Sequence, residues 1–420
     1  MPKRFSIPIL LILFLTVFIN TAPAEDTLTW QECVAQAAKN NPDIIYALEG
    51  VRAKEEAKAQ TTSTLYPQIS ADAAASKTKT TTTKNSYSYG ISGTQLIFDG
   101  SKTSSDVKAA VENINAARQS YRFTSSDVRL NLRTAFVNLL KAQELIKVAQ
   151  EIVKIRRDNL LLITMRYESG LEHKGALLTA KANLADAQFG LSQAKRDIGL
   201  YQRQLDKEMG LKEFKPFLVK GDFSVRDSAK DKPDFKELVN NNPSVLEAVA
   251  NKNSAAFTVT SAYRNFIPKL SGSAGADKSG AHWPPNTDGW NFGLSLDVPI
   301  FEGGLKNAQL KEAEALYKQA QASEDSARST AIVGLEQAWV SLQDAIETTD
   351  VENQSLEAAV ERSVIAEAQY STGFINFDNW IIIQNDLVGA KRTYLNAQAS
   401  ALLAEASWIK AKGETLEYAQ

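Results

Sequence analysis

Between Gly289 and Gly304 the chain reads GWNFGLSLDVPIFEGG. Trp290, Phe292, Leu294, Leu296, Val298 and Ile300 fall on one side of an extended chain, and Asn291, Gly293, Ser295 and Asp297 on the other. That period of two predicts a strand from Trp290 to Ile300 with one apolar face. Past the glycine pair the period changes. From Leu305 to Thr372 only Gly334 interrupts, no glycine occurs from Ser101 to Ser169, and prolines are missing from 68–215 and 300–420. Both stretches are rich in Ala, Leu, Gln, Lys and Glu, with apolar residues such as Leu130, Ala135, Val137, Leu140, Leu145 and Val148 at helical spacing. Each predicts one helix of nearly seventy residues, about 100 Å long at the α-helical rise. Helices of that length cannot fold into one compact core, so a coiled-coil-like assembly follows.

The pattern occurs twice. Asn40-Asn41-Pro42 returns as Asn241-Asn242-Pro243, and Leu65-Tyr66-Pro67-Gln68-Ile69-Ser70 as Phe266-Ile267-Pro268-Lys269-Leu270-Ser271, both at an offset of 201. Ile97-Phe98-Asp99-Gly100 returns as Ile300-Phe301-Glu302-Gly303, and Arg166-Tyr167-Glu168-Ser169-Gly170 as Gln369-Tyr370-Ser371-Thr372-Gly373, both at 203. Four matches in one order at nearly one offset indicate a duplicated unit of about two hundred residues. Each unit carries a short helix after the NNP turn, a proline, two strands around a polar loop, the long helix, a glycine turn and a returning helix. The strands are expected near Gln68 to Ala75, Tyr87 to Phe98, Lys269 to Ala276 and Trp290 to Ile300. The expected organisation is a leader at 1–24, a first unit at 25–210, a linking segment at 211–240, a second unit at 241–412 and a tail at 413–420.

Composition narrows the function. With 47 basic and 49 acidic residues the formal charge is -2, so no field points to nucleic acid. One cysteine, Cys33, and two histidines, His173 and His282, leave no disulfide framework and no Cys/His metal site. No cofactor and no enzymatic activity are expected. At the N-terminus, Lys3 and Arg4, an apolar run from Phe5 to Ile19 and then Ala22-Pro23-Ala24 form a secretory signal with an A-x-A cleavage site. Cys33 stands too far from that site to be acylated, so no lipid anchor is expected, and no later stretch has the length and apolarity of a membrane helix.

Strands of about ten alternating residues behind a secretory signal fit a transmembrane barrel, in which unpaired backbone is too costly to leave open to lipid. Four strands cannot close such a barrel alone, so several chains must contribute. Trp290, Phe292, Leu294, Leu296 and Val298 then face lipid. Pro67, Asp99, Gly100, Pro268, Glu302 and Gly303 mark the joints between strand and helix. The alternative is a secreted structural coiled coil without a pore.

Taken together, the paired NNP turns, the strand entries at Pro67 and Pro268, the IFDG and IFEGG joints and the RYESG and QYSTG turns give a family resemblance. The chain resembles the outer-membrane efflux proteins, the TolC family of channel-tunnels, over essentially all of the sequence after the leader. The resemblance implies a fold that is mainly α with a small β part. It implies a homotrimer in which each chain gives four strands to one twelve-stranded barrel in the outer membrane of a Gram-negative bacterium, with a helical tunnel crossing the periplasm. It also implies a passive exit duct that receives substrate from an inner-membrane pump, of RND or ABC type, through a periplasmic adaptor. The energy would belong to the pump, and no G-x-x-x-x-G-K-[ST] sequence occurs here.

By the same resemblance the turns Arg166 to Gly175 and Gln369 to Asp378 form the periplasmic tip, where the aperture closes and the adaptor docks. The residues concerned are Arg166, Tyr167, Gly170, Leu171, Gln369, Tyr370, Gly373, Phe374 and Asp378. Tyr370 matches the tyrosine that helps hold the family's tip closed. Where relatives carry an arginine and aspartates, this chain has Ile375, Asn379 and Ile382, and Ala176 in the first turn, so the closing contacts must differ in detail. Gly170 and Gly373 also read as helix C-caps, Tyr167 and Tyr370 as packing residues, Asp378 as a cap of the returning helix, and His173 and His282 as loop residues. The loops Ser76 to Ser86 and Asp277 to Asp288 are expected outside the cell.

Overall fold

A computed structural model of the chain describes residues 26–79, 81, 83–224 and 232–418. The expected leader at 1–24 lies outside the described residues. In chain order the elements are β1 (Asp26–Thr29), α1 (Trp30–Asn40), α2 (Pro42–Ser63), β2 (Gln68–Lys79), β3 (Thr83–Phe98), α3 (Lys102–Glu168), α4 (Lys174–Met209), β4 (Phe217–Lys220) and α5 (Phe235–Leu238). They continue with α6 (Pro243–Arg264), β5 (Lys269–Gly280), β6 (Thr287–Asp297), α7 (Leu305–Ser371) and α8 (Phe377–Ala411). The two halves match closely in length: 22 residues in α2 and α6, 67 in α3 and α7, and 36 in α4 against 35 in α8.

The same local chemistry starts α2 and α6. Asn41 Oδ1 accepts hydrogen bonds from Asp43 N at 2.9 Å and Ile44 N at 3.3 Å, and Asn242 Oδ1 accepts one from Ser244 N at 3.0 Å. Each cap is followed by a proline, whose missing N–H would find no helical partner there anyway. The amide nitrogens reach across the fold: Asn41 Nδ2 donates to Glu208 O at 2.8 Å, and Asn242 Nδ2 to Ala411 O at 3.2 Å. Each asparagine therefore caps one helix and satisfies a carbonyl at the end of another. That accounts for the NNP repeat.

The strands form one antiparallel sheet in the order β2-β3-β5-β6, with β2 and β6 at its edges. The register divides it into two unlike faces. One carries Ile69 and Ala71 of β2, Tyr89 and Ile91 of β3, Leu270 and Ala274 of β5, and Trp290, Phe292, Leu294 and Leu296 of β6. The other carries Ser70, Ser92, Ser271, Ser273, Asn291 and Ser295.

The hairpins are longer than alternation predicts. Most of Ser76 to Ser86 belongs to β2 and β3, and the ends of Asp277 to Asp288 belong to β5 and β6. Alternation fades there because both faces turn polar, while the backbone ladder continues. Conversely β6 ends at Asp297, paired with Lys269, so Val298 and Ile300 lie outside the ladder. Pro268 and Pro299 flank that last pair, and neither can donate to a further rung.

At the joints the chain changes course through two successive left-handed residues, Gly100 and Ser101 at φ 67 and 67, and Gly303 and Gly304 at φ 61 and 86. Asp99 steadies the first joint, its Oδ2 accepting from Thr103 N at 2.8 Å and Thr103 Oγ1 at 2.5 Å. Glu302 instead pairs with Lys306 at 3.4 Å. Near the middle of the long helices a core of Cys33, Leu132, Phe136, Leu139, Leu205, Met209 and Leu416 packs around the parallel pair β1–β4. The segment read as a tail belongs to this core: Leu416 N donates to Ser125 Oγ at 3.0 Å and Arg129 pairs with Glu414 at 3.2 Å.

Candidate functional site: the paired helical turns

At the far end of the long helices, α3 turns into α4 and α7 into α8 through two near-copies of one motif. Gly170 N donates to Tyr167 O at 3.0 Å and Leu171 N to Arg166 O at 2.8 Å; Gly373 N donates to Tyr370 O at 3.0 Å and Phe374 N to Gln369 O at 2.8 Å. This is the Schellman arrangement, with Gly170 at φ 73 and Gly373 at φ 80 supplying its left-handed residue. The returning helices are capped by His173, whose Nδ1 accepts from Ala176 N at 3.2 Å, and by Asn376, whose Oδ1 accepts from Asn379 N at 3.0 Å. His173 is thus a cap and not a free loop residue. Asp378 does not cap: Asn376 holds that position, two residues earlier, and Asp378 is exposed in the first turn of α8.

The turns meet in an asymmetric contact centred on Tyr370. Tyr370 is 1% exposed, and its ring stacks on Trp380 with centroids 4.6 Å apart and planes at 10°. The Arg166 guanidinium carbon lies 4.6 Å from the same ring's centroid, and Arg166 Nη1 donates to Ser371 O at 3.3 Å. The Tyr370 hydroxyl donates to Glu172 Oε2 at 2.5 Å. Burial, reinforced by the Glu172 carboxylate, raises the Tyr370 phenol above its ordinary pKa. Ile163, Ala176, Ala180, Ala366, Phe377 and Ile381 close an apolar layer around the rings.

Of the residues the sequence nominated, the structure joins Arg166 and Tyr370 directly. Tyr167 stays exposed, as do Leu171 and Phe374, at 66% and 80%. Glu172 and Trp380 were not nominated. Their signal lay in the places where the repeat fails. At the offset of 203, Glu172 corresponds to Ile375, Trp380 to Leu177, and the exposed Tyr167 to the buried Tyr370. One half supplies the acid and the base, and the other supplies the stacked rings. Among the described residues no three His, Cys, Asp or Glu side chains gather to hold a metal, and no helix is long and apolar enough to cross a membrane.

Comparison with known proteins places this architecture. The family model described as "Outer membrane efflux protein" matches residues 33–211 and again 235–414. Outer membrane protein TolC of Escherichia coli K12 is 24% identical over 94% of this chain and 84% of its own length. The outer membrane efflux protein BepC of Brucella suis is 21% identical over 95% of this chain and 88% of its own length. Among solved structures, that of CusC superposes with a TM-score of 0.82 at 17% identity, covering 91% of both chains. The open state of the Neisseria gonorrhoeae MtrE outer membrane channel superposes with a TM-score of 0.79 at 17% identity, covering 92% of this chain and 89% of that one. The chain therefore belongs to the outer membrane efflux protein family and resides in the outer membrane of a Gram-negative cell.

Proposed function

We propose that three copies of this chain form a passive duct, and that the paired turns are its periplasmic aperture and its docking end for an adaptor that delivers substrate from an inner-membrane pump. The observation that carries this reading is the contact between the two turns centred on Tyr370. Tyr370 of one half is held by Glu172 and Arg166 of the other, so separating the helix pairs breaks a charge-assisted hydrogen bond and the contact of a guanidinium with the Tyr370 ring. Such a contact gives a closed state a definite, modest depth. A partner that binds better to the separated turns shifts the population toward opening.

The sheet fits the other end of the duct. Two open edges, an apolar face and a face of serine, asparagine and glycine suit a wall segment that neighbours extend into a closed barrel, with the apolar face to lipid and the polar face to a wet lumen. The exposed pair Leu171 and Phe374, one at each turn, offers apolar anchors for the adaptor. A direct test replaces them. The Leu171→Glu/Phe374→Glu variant is expected to reach the outer membrane as a heat-modifiable trimer, yet to lose crosslinking to the adaptor and export by the cell. Undiminished crosslinking would overturn the docking role, and absence of a trimer from outer membranes would overturn the duct.

A further inference from the structure

The apolar face of the sheet can be followed away from the helices, toward the closed ends of the hairpins. On β3 the residues of this face are Ile91, then Tyr89, then Tyr87; their partners on β2 are Ala71, Ala73 and Ala75, and on β5 Ala276, Lys278 and Gly280. Trp283, in the turn between β5 and β6, brings its ring centroid to 6.3 Å from that of Tyr87 and 6.1 Å from that of Tyr89. With Trp290, opposite Ala276, these rings form an aromatic row near the outer end of the apolar face. Tyrosine and tryptophan concentrate where hydrocarbon meets headgroups, because their bodies are apolar and their tips polar.

Beyond that row β2 continues with Lys77 and Lys79, on the same face as Ala75. At the strand rise Lys77 stands about 7 Å past Ala75, and Lys79 about as far again. Both are exposed, and among the described residues neither ammonium group has an ion pair or hydrogen bond. Lys278, in the Tyr89 row, differs: Asp288 pairs with it at 3.0 Å. Lys84, opposite Thr78, is on the polar face. The outward side of the hairpin tip therefore holds two uncompensated ammonium groups just where an aromatic row ends. A lysine there extends its methylenes along the apolar surface and its charge into the headgroup layer.

We propose that Lys77 and Lys79 form a binding site for the phosphate groups of outer-leaflet lipid headgroups, one site per protomer. Phosphate fits because it offers charge-assisted acceptors to donors without a partner in their own chain, on the face turned toward lipid. This inference rests on the lipid-facing reading of the apolar face.

The test reconstitutes the intact trimer into phosphatidylcholine nanodiscs containing either a diphosphorylated lipid A or the same glycolipid without phosphates, and counts retained glycolipid by native mass spectrometry. The wild type is expected to retain the phosphorylated form preferentially. The Lys77→Gln/Lys79→Gln variant should lose that preference by roughly tenfold or more, at the energy typical of a lysine near an anionic bilayer surface. Lys77→Arg/Lys79→Arg and Lys84→Gln should keep it. Equal retention of both lipids by the wild type, an unchanged double glutamine variant, or an equal loss in Lys84→Gln would overturn the site. The parent reading has a separate readout. Acyl-chain-brominated lipids should quench a fluorescence component that disappears in Trp290→Phe. Quenching without phosphate preference sinks only the headgroup site, whereas no quenching sinks the lipid-facing assignment as well.

Discussion

Tyr370 engages its surroundings through hydroxyl, ring face and ring edge, and these roles can be separated. Tyr370→Phe removes the hydroxyl bonded to Glu172 at 2.5 Å and leaves the stack on Trp380. A hydrogen bond to a charged group contributes about 1.5–3 kcal/mol, so if the turns close the aperture, this change raises single-channel conductance in planar bilayers without loss of the trimer. Unchanged conductance would remove the hydroxyl from the gate. Glu172→Gln should raise conductance similarly, and the double variant should fall well short of the sum, because both changes break one bond. The pH dependence follows from the raised phenol pKa. The proton is held more tightly in the closed form, so this contribution is fully present below the free phenol's value near 10 and fades as pH rises above it. On the alkaline side, the conductance difference between wild type and Tyr370→Phe should therefore hold up to about pH 10 and shrink beyond. Tyr370 was legible through the family resemblance of the QYSTG turn, three residues before Gly373. Glu172 was not, because its contact spans 198 residues of chain, and Trp380 was not, because it stacks back on Tyr370 across the turn between α7 and α8, where the period of neither helix reaches.

At the scale of elements, the glycines that end helices divide into two kinds that sequence cannot tell apart. Gly373 and Gly413 have nearly the same backbone conformation, φ 80 and 78. A Cβ on Gly373 would meet nothing within 4 Å, whereas one on Gly413 would lie 2.4 Å from Pro243 Cδ. Gly373→Ala should therefore carry only the left-handed backbone cost, about 1–2 kcal/mol. Gly413→Ala should cost more, since Pro243 or α8 must also move. In thermal unfolding of the purified trimer the second variant is expected to melt clearly below the first, and equal melting temperatures would show that the joint yields freely. The two long helices were legible almost to the residue, because proline and glycine are scarce in their interiors and frequent at their ends. The strands were legible only where one face is apolar. Past Ala75 and Ala276 both faces turn polar, so the ladders run on to Lys79 and Gly280 without an alternating signal. The pair β1–β4 was missed for a related reason: each strand is 4 residues long and its partner lies in the other half of the first unit or its linker.

For the whole molecule, duplication and asymmetry act at opposite ends. The joints at the end of the sheet keep the repeat, IFDG and IFEGG both turning through two left-handed residues, as suits a wall built of equivalent segments. The turns keep the backbone motif but not its side chains, Glu172 standing where the other half has Ile375 and the exposed Tyr167 where it has the buried Tyr370. The sheet's two faces yield a prediction that depends on the closed barrel and on no single contact. Leu294 and Ser295 are neighbours in β6 and equally part of its ladder, yet they belong to opposite faces. A lysine on the lipid side near the bilayer midplane costs about 2–4 kcal/mol, whereas one facing water in the lumen costs little. Multiplied over three protomers, Leu294→Lys should strongly reduce the amount of folded trimer in outer membranes, while Ser295→Lys should assemble normally and alter ion selectivity. Their separation by one residue makes the comparison sensitive to register. If both variants assemble alike, the apolar face does not meet lipid. If Ser295→Lys is the one that fails, the barrel is inverted relative to the orientation that places Trp290, Phe292, Leu294 and Leu296 outward.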